Sequence, residues 1–266
     1  MSSKSYLRHL GGPLLRAVTP SLASVLAAFV VLPLPAAAAS DDVTDYAECV
    51  ALVQQNPALA EERARIWENR GGDVSAIHCD ALALTALKRY AEAARKLDAL
   101  AHDRRITDSE RRATLFDQAG NAWLLAGSGS SALQSFSSAV AASPNDIGYL
   151  ADRARARAML KDWSGADADL SEALLRDQNR ADLLVLRASA RWTLNRKADA
   201  ATDILRALEL YPDYPAALVE RGMMKYSVGD TNGARKDWKK AAASGQGDAA
   251  QQAKRNLAAM DSTPGK

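Results

Sequence analysis

Three arginines, Arg153, Arg187 and Arg221, stand 34 residues apart, and three aspartates, Asp169, Asp203 and Asp237, each follow one of them by sixteen. A guanidinium and a carboxylate repeated at a fixed offset can make forked structural ion pairs, or the guanidiniums can form a ladder that grips an acidic ligand. The preceding stretch has Ala119 and Ser135 at the two corresponding places. Arg and Asp therefore come and go together, as a partly buried pair between two packed helices requires, and the structural reading is preferred. Arg157, Arg191 and Lys225 form a second basic column one helical turn later. With no equally regular acidic column beside them, they read as solvated side chains, with a ligand role second.

Catalytic chemistry has little to build on. Beyond residue 39 the histidines are His78 and His102, and only the adjacent Cys79 offers a second ligand to either. Neighbours on a helix point about 100° apart, which disfavours a site built from His78 and Cys79. The chain carries no G-x-S-x-G, phosphate-binding loop or dinucleotide fingerprint. Gly127-Ser128-Gly129-Ser130 is explained by a turn between helices. The sequence does not read as an enzyme and implies no metal or cofactor.

With 48% hydrophobic and 25% charged residues, the chain can bury a core. Its first 39 residues have another character: Lys4, Arg8 and Arg16 precede an uncharged stretch from Ala17 to Ala39 that ends in small residues. This reads as a secretory signal peptide with an A-x-A site at Ala37 to Ala39, leaving a mature chain that starts near Ser40 and Asp41. The competing reading is a retained anchor, since about 20 apolar residues span a bilayer, but Pro20, Pro33 and Pro35 interrupt the stretch. No further long apolar run follows, so cleavage implies no membrane span and a periplasmic destination. Cleavage would also remove three bases and no acid, so the formal charge of +2 would turn slightly negative. That balance gives no support to nucleic-acid binding. Cys49 and Cys79 are an even pair in a chain read as exported, which makes a single disulfide the default and a reactive thiol pair the alternative.

The elements that must position these residues repeat with the same period. Ala132, Ala166, Ala200 and Ala234 align with one another, as do Phe136, Leu170, Ile204 and Trp238, and as do Ala139, Ala173, Ala207 and Ala241. Gly120, Ala154, Ala188 and Gly222 provide the small residue where two helices cross closely. A 34-residue period means a helical solenoid. With Gly120, Ala132, Ala139 and Pro144 in the first full unit, the pattern resembles the tetratricopeptide repeat family. The resemblance implies an all-α, right-handed superhelical solenoid of helix-turn-helix units. Those units run over 113–146, 147–180, 181–214 and 215–248, with a degenerate unit at 74–106. A short insertion around Thr107 to Glu110 separates that degenerate unit from the rest. N-terminal helices at Asp45 to Val53 and Pro57 to Asn69 fall in an N-terminal cap over 40–73, and a C-terminal capping helix and tail fill 249–266. Gln178 and Gln246 stand where the other units close with proline.

The family resemblance further implies that the first helix of each unit lines a concave face. Carried over by position, that face includes Asn121 and Leu124; Asp152, Arg155 and Met159; Val185, Leu186 and Trp192; and Val219, Glu220, Met223 and Tyr226. Trp192 and Tyr226 are the preferred anchors, with Met223, Arg155 and Asn121 beside them, although Trp192 can equally be core between units. Of the family's clamp for acidic C-terminal tails only Asn121 is present. The expected function is an exported interaction scaffold holding a protein or peptide segment. The alternative is a structural subunit of a cell-envelope assembly, and the sequence names neither partner nor oligomeric state.

Overall fold

The computed structural model describes residues 45–245 and 247–262. The basic and apolar start, Gln246, and the tail Thr263 to Lys266 lie outside the described residues. Every regular element among the described residues is a helix: α1 (Tyr46–Gln55), α2 (Pro57–Asn69), α3 (Val74–Ala86), α4 (Tyr90–Ala101), α5 (Ser109–Leu125), α6 (Gly129–Ala142) and α7 (Ile147–Met159), then α8 (Trp163–Arg176), α9 (Ala181–Thr193), α10 (Lys197–Leu210), α11 (Pro215–Ser227), α12 (Thr231–Ala242) and α13 (Asp248–Ser262). Each packs on the next in the chain, and α5, α9 and α11 also pack on the second helix along. The result is an all-α solenoid in which the first helices of successive units lie side by side.

Local chemistry fixes the ends of these helices. Asp45, Asp73, Asp108, Asp146, Asp162 and Asp230 each cap an N-terminus by accepting from a backbone N–H in the first turn. Gly127, Lys161, Asn195 and Gly229, again 34 residues apart, take the left-handed backbone that turns the first helix into the second, with φ of +77°, +63°, +61° and +87°. Asn56 closes α1 and its side chain also caps α2. As a result α1 runs to Gln55, two residues past Val53.

The insertion around Thr107 to Glu110 is partly absorbed into the first helix of the next unit. Asp108 caps α5, so Ser109 and Glu110 are helical and this first helix has 17 residues. Arg112 secures the loop ahead of it by donating to the carbonyls of Ala101 and Ile106, while the Ile106 side chain is buried.

The core shows how the repeat sets helix spacing. A Cβ at Gly120 would lie 2.5 Å from the Phe136 ring, and one at Gly222 would overlap the Trp238 indole. Where the facing residue is Leu170 or Ile204, the small position is Ala154 or Ala188, all four buried in one cluster. Glycine thus faces an aromatic ring and alanine faces an aliphatic chain, a volume match that keeps helix crossings similar from unit to unit. Trp238 is buried and donates through Nε1 to the Val219 carbonyl at 3.1 Å.

Candidate interaction face

The charged columns meet inside the units. Each arginine lies on a first helix and its aspartate on the second helix of the same unit. Arg153 donates from Nε and Nη2 to Asp169 at 2.9 and 2.6 Å, Arg187 to Asp203 at 3.0 and 2.7 Å, and Arg221 to Asp237 at 2.8 and 2.7 Å. The three aspartates are each 3% exposed, so the forks satisfy carboxylates that have lost water. Arg157, Arg191 and Lys225 converge on these same carboxylates, at 3.4, 2.9 and 2.9 Å, from one turn further along the helix. Their expected role as solvated side chains does not hold: one acidic column serves two basic ones. A sequence search that assigns one acid to each base misses this sharing.

The degenerate unit carries the same device with its charges exchanged. Asp80 on α3 and Lys96 on α4 are also sixteen residues apart and pair at 2.5 Å, with Glu68 of α2 on the same lysine at 2.8 Å. Asp80 is 2% exposed, and its Oδ1 has no hydrogen-bond partner. In the unit that has Ala119 and Ser135, uncharged donors serve a carboxyl from the preceding unit: the Ser135 hydroxyl and Trp123 Nε1 donate to Asp98 of α4 at 2.8 and 2.7 Å.

Along the row of first helices the N-terminal part is a closed polar network. Asn121 donates to Asp117 Oδ2 at 3.1 Å and to its carbonyl at 3.0 Å. Asp117 faces Asp152, which in turn receives Arg155. Burial, then the Asp152 carboxylate beside it, pushes the Asp117 carboxyl up to about 7. Asp117 Oδ1 is buried and has no hydrogen-bond partner. Asn121 and Arg155 are each held by one of these two neighbouring aspartates.

The C-terminal part is apolar. Met223 and Tyr226, one turn apart on α11, are 48% and 43% exposed. The Tyr226 ring lies 5.7 Å from Trp238, and Asn256 of α13 donates to Met223 Sδ at 3.4 Å. Trp192 is half-buried against the core with Lys197 Nζ 5.4 Å from its ring centroid, so it serves the core while keeping one face toward solvent. Val185 and Val219, carried over as lining residues, are buried. Between α7 and α9, floored by α8, lies a crevice of about 170 Å³ lined by Ala158, Trp163, Leu170, Leu186 and Ala190.

Cys49 and Cys79 form a buried disulfide joining α1 to α3. Beside it His78 Nε2 donates to Gln118 Oε1 at 2.7 Å and Nδ1 accepts from the Tyr46 hydroxyl at 2.7 Å. Burial holds this imidazole below its ordinary pKa, so it ties α1, α3 and α5 together as a neutral ring. No group of three or more metal-ligating side chains occurs among the described residues.

No protein-family profile and no curated protein matches the chain. Solved structures do resemble it. A crystal structure of MamA superposes with a TM-score of 0.52 at 15% identity, covering 60% of this chain and 91% of MamA. Residues 41 to the end of MamA from Desulfovibrio magneticus RS-1 give 0.55 at 16% identity, covering 64% and 94%. YrrB, described as a TPR protein with an unusual peptide-binding site, gives 0.50 at 16% identity, covering 66% and 89%. At these identities the likeness establishes the fold.

Proposed function

Because the chain folds as a tetratricopeptide-repeat solenoid, we propose that it is an exported interaction scaffold that holds a protein or peptide segment along its row of first helices, the concave face of the family. The observation that carries this reading is the exposed Met223 and Tyr226 surface on α11. Aromatic and thioether side chains supply contact area at little conformational cost, and such residues dominate binding energy at interfaces. The peptide site of YrrB is a precedent for this use of the fold. Export is supported by the buried Cys49–Cys79 disulfide, which belongs in an oxidising compartment, and by the basic then apolar start of the sequence.

The test is crosslinking and affinity capture from the native cell envelope with the wild-type chain and a Met223→Ala/Tyr226→Ala variant. Both residues are half exposed, so the variant keeps the fold, which circular dichroism checks. A partner held by wild type and lost by the variant supports the reading. Equal capture moves the interface off α11.

A further inference from the structure

Two leucines stand exposed where the repeat does not require them. Leu175 on α8 is 79% exposed and Leu205 on α10 is 54% exposed. The places equivalent to Leu175 in the other units hold Ala141, Glu209 and Ala243, and those equivalent to Leu205 hold Ser137, Ser171 and Lys239. Packing within the solenoid therefore has no need of leucine at either position, and an apolar surface left in water is the mark of a contact made with something else. Both leucines line a groove of about 530 Å³ between these two successive second helices.

The charges in the lining of this groove are balanced. It holds two bases, Arg187 and Arg206, and two acids, Asp203 and Glu209. Arg187 forks onto Asp203, and Arg206 donates from Nη1 to Glu209, one turn further along α10, at 3.1 Å. A basic or an acidic partner segment would leave one sign in the lining unmatched. The groove also offers a hollow together with leucines that project from its walls, so the surface is complementary to itself in shape as well as in charge. Contact between two identical copies about a two-fold axis demands that property. With the axis crossing α10 between Arg206 and Glu209, the α10 helices of the two copies run antiparallel, and Arg206 of each copy meets Glu209 of the other. Both side chains are exposed and free to do so. Arg206 Nη2 also donates to Asn179 Oδ1 at 3.0 Å, which joins the groove to a neighbouring pocket where Tyr211 is 58% exposed. Eleven residues line the groove and six the pocket, a surface that approaches the roughly 20–30 residues a side of a stable interface.

We propose that a second copy of this chain docks in the groove, forming a two-fold dimer through α8 and α10. Leu175 and Leu205 supply the apolar contact, and Arg206 with Glu209 sets the antiparallel register. Met223 and Tyr226 are not among the residues that line the groove. The dimer therefore carries two such α11 surfaces and gains avidity for a partner that displays its bound segment twice.

The experiment is sedimentation velocity of the full chain in mild detergent over a dilution series, with melting curves to verify that every variant is folded. Wild type should dimerise with a micromolar dissociation constant. Leu175→Ser/Leu205→Ser changes two exposed side chains, so it should keep the melting temperature and weaken the dimer about tenfold or more. Arg206→Glu and Glu209→Arg should each weaken it about fivefold. The double exchange Arg206→Glu/Glu209→Arg should restore the constant to within about twofold, because a two-fold axis sets each exchanged charge against its exchanged partner. A monomer at every concentration overturns the proposal, and so does a dimer indifferent to the leucine pair, which puts the contact on another surface. No recovery in the double exchange overturns the antiparallel arrangement, and the proposal falls with it. A monomer whose leucine variant loses a protein captured from the envelope would make that protein the occupant, and the proposal would fall as well. Capture by the Met223→Ala/Tyr226→Ala variant is read separately, so this dimer and the scaffold reading can fail independently.

Discussion

At the scale of single residues, the charges with the largest consequences are the aspartates of the second helices. Each is buried and shared by two cations one helical turn apart, so the two kinds of deletion are unequal. Arg187→Ala leaves Asp203 with Arg191 still at 2.9 Å and should cost about 1–3 kcal/mol. Asp203→Asn leaves Arg187 without its carboxylate and Arg191 with Asp167 alone, at 2.8 Å, and should cost about 3–5 kcal/mol. Urea unfolding of the two variants checks the order, and a larger loss for the arginine would refute the sharing. Asp117 gives a pH-dependent counterpart. Its carboxyl titrates near 7 in the fold against 3.8 as the reference value, so its contribution is fully present below about pH 4 and lost as pH rises through 7. Asp117→Asn should therefore raise the melting temperature at pH 8 and change it little at pH 4. A gain that does not vary with pH would separate the effect from ionisation.

At the scale of helices, the volume match between facing columns sets the crossing distance. Gly222→Ala drives a methyl group into the Trp238 indole and should destabilise by about 1–3 kcal/mol, whereas Gly222→Ala combined with Trp238→Leu recreates the Ala and Leu pair of the 147–180 unit and should recover part of that loss. Denaturant titration of the single and double variants measures the coupling, and additive losses would contradict the match. The columns themselves were legible in the sequence, because small and large residues recur with the period of the backbone. Their pairing was not read, although Gly with Phe or Trp and Ala with Leu or Ile stand in the same rows. The reversed Asp80 and Lys96 pair went unread because its unit is offset by five extra residues and its charges are exchanged.

At the scale of the whole molecule, a solenoid spreads stability from neighbour to neighbour. The disulfide closes a loop of sequence separation 30 between α1 and α3, and on the chain-entropy model it contributes about 3–4 kcal/mol. Since α1 packs on α2 and α3, the effect of removing the disulfide should stay near that end. In Cys49→Ser/Cys79→Ser, amide exchange should accelerate in α1 to α3 and remain unchanged in α9 to α12. Uniform acceleration along the chain would mean a single cooperative unit and would overturn the neighbour-by-neighbour account.

A row of helix pairs with a 34-residue period can be read from the residues alone, because small residues must recur wherever identical crossings recur. The sequence also placed the charged columns, since a buried fork needs its partner at a constant offset. It took the folded molecule to show that two basic columns share one acid and that Asp117, which holds Asn121, comes beside Asp152, which holds Arg155. The sharing arises where the two helices of one unit pack, and the Asp117–Asp152 approach where one helix pair stacks on the next. A period along the chain fixes which residues are equivalent, while stacking fixes which of them touch.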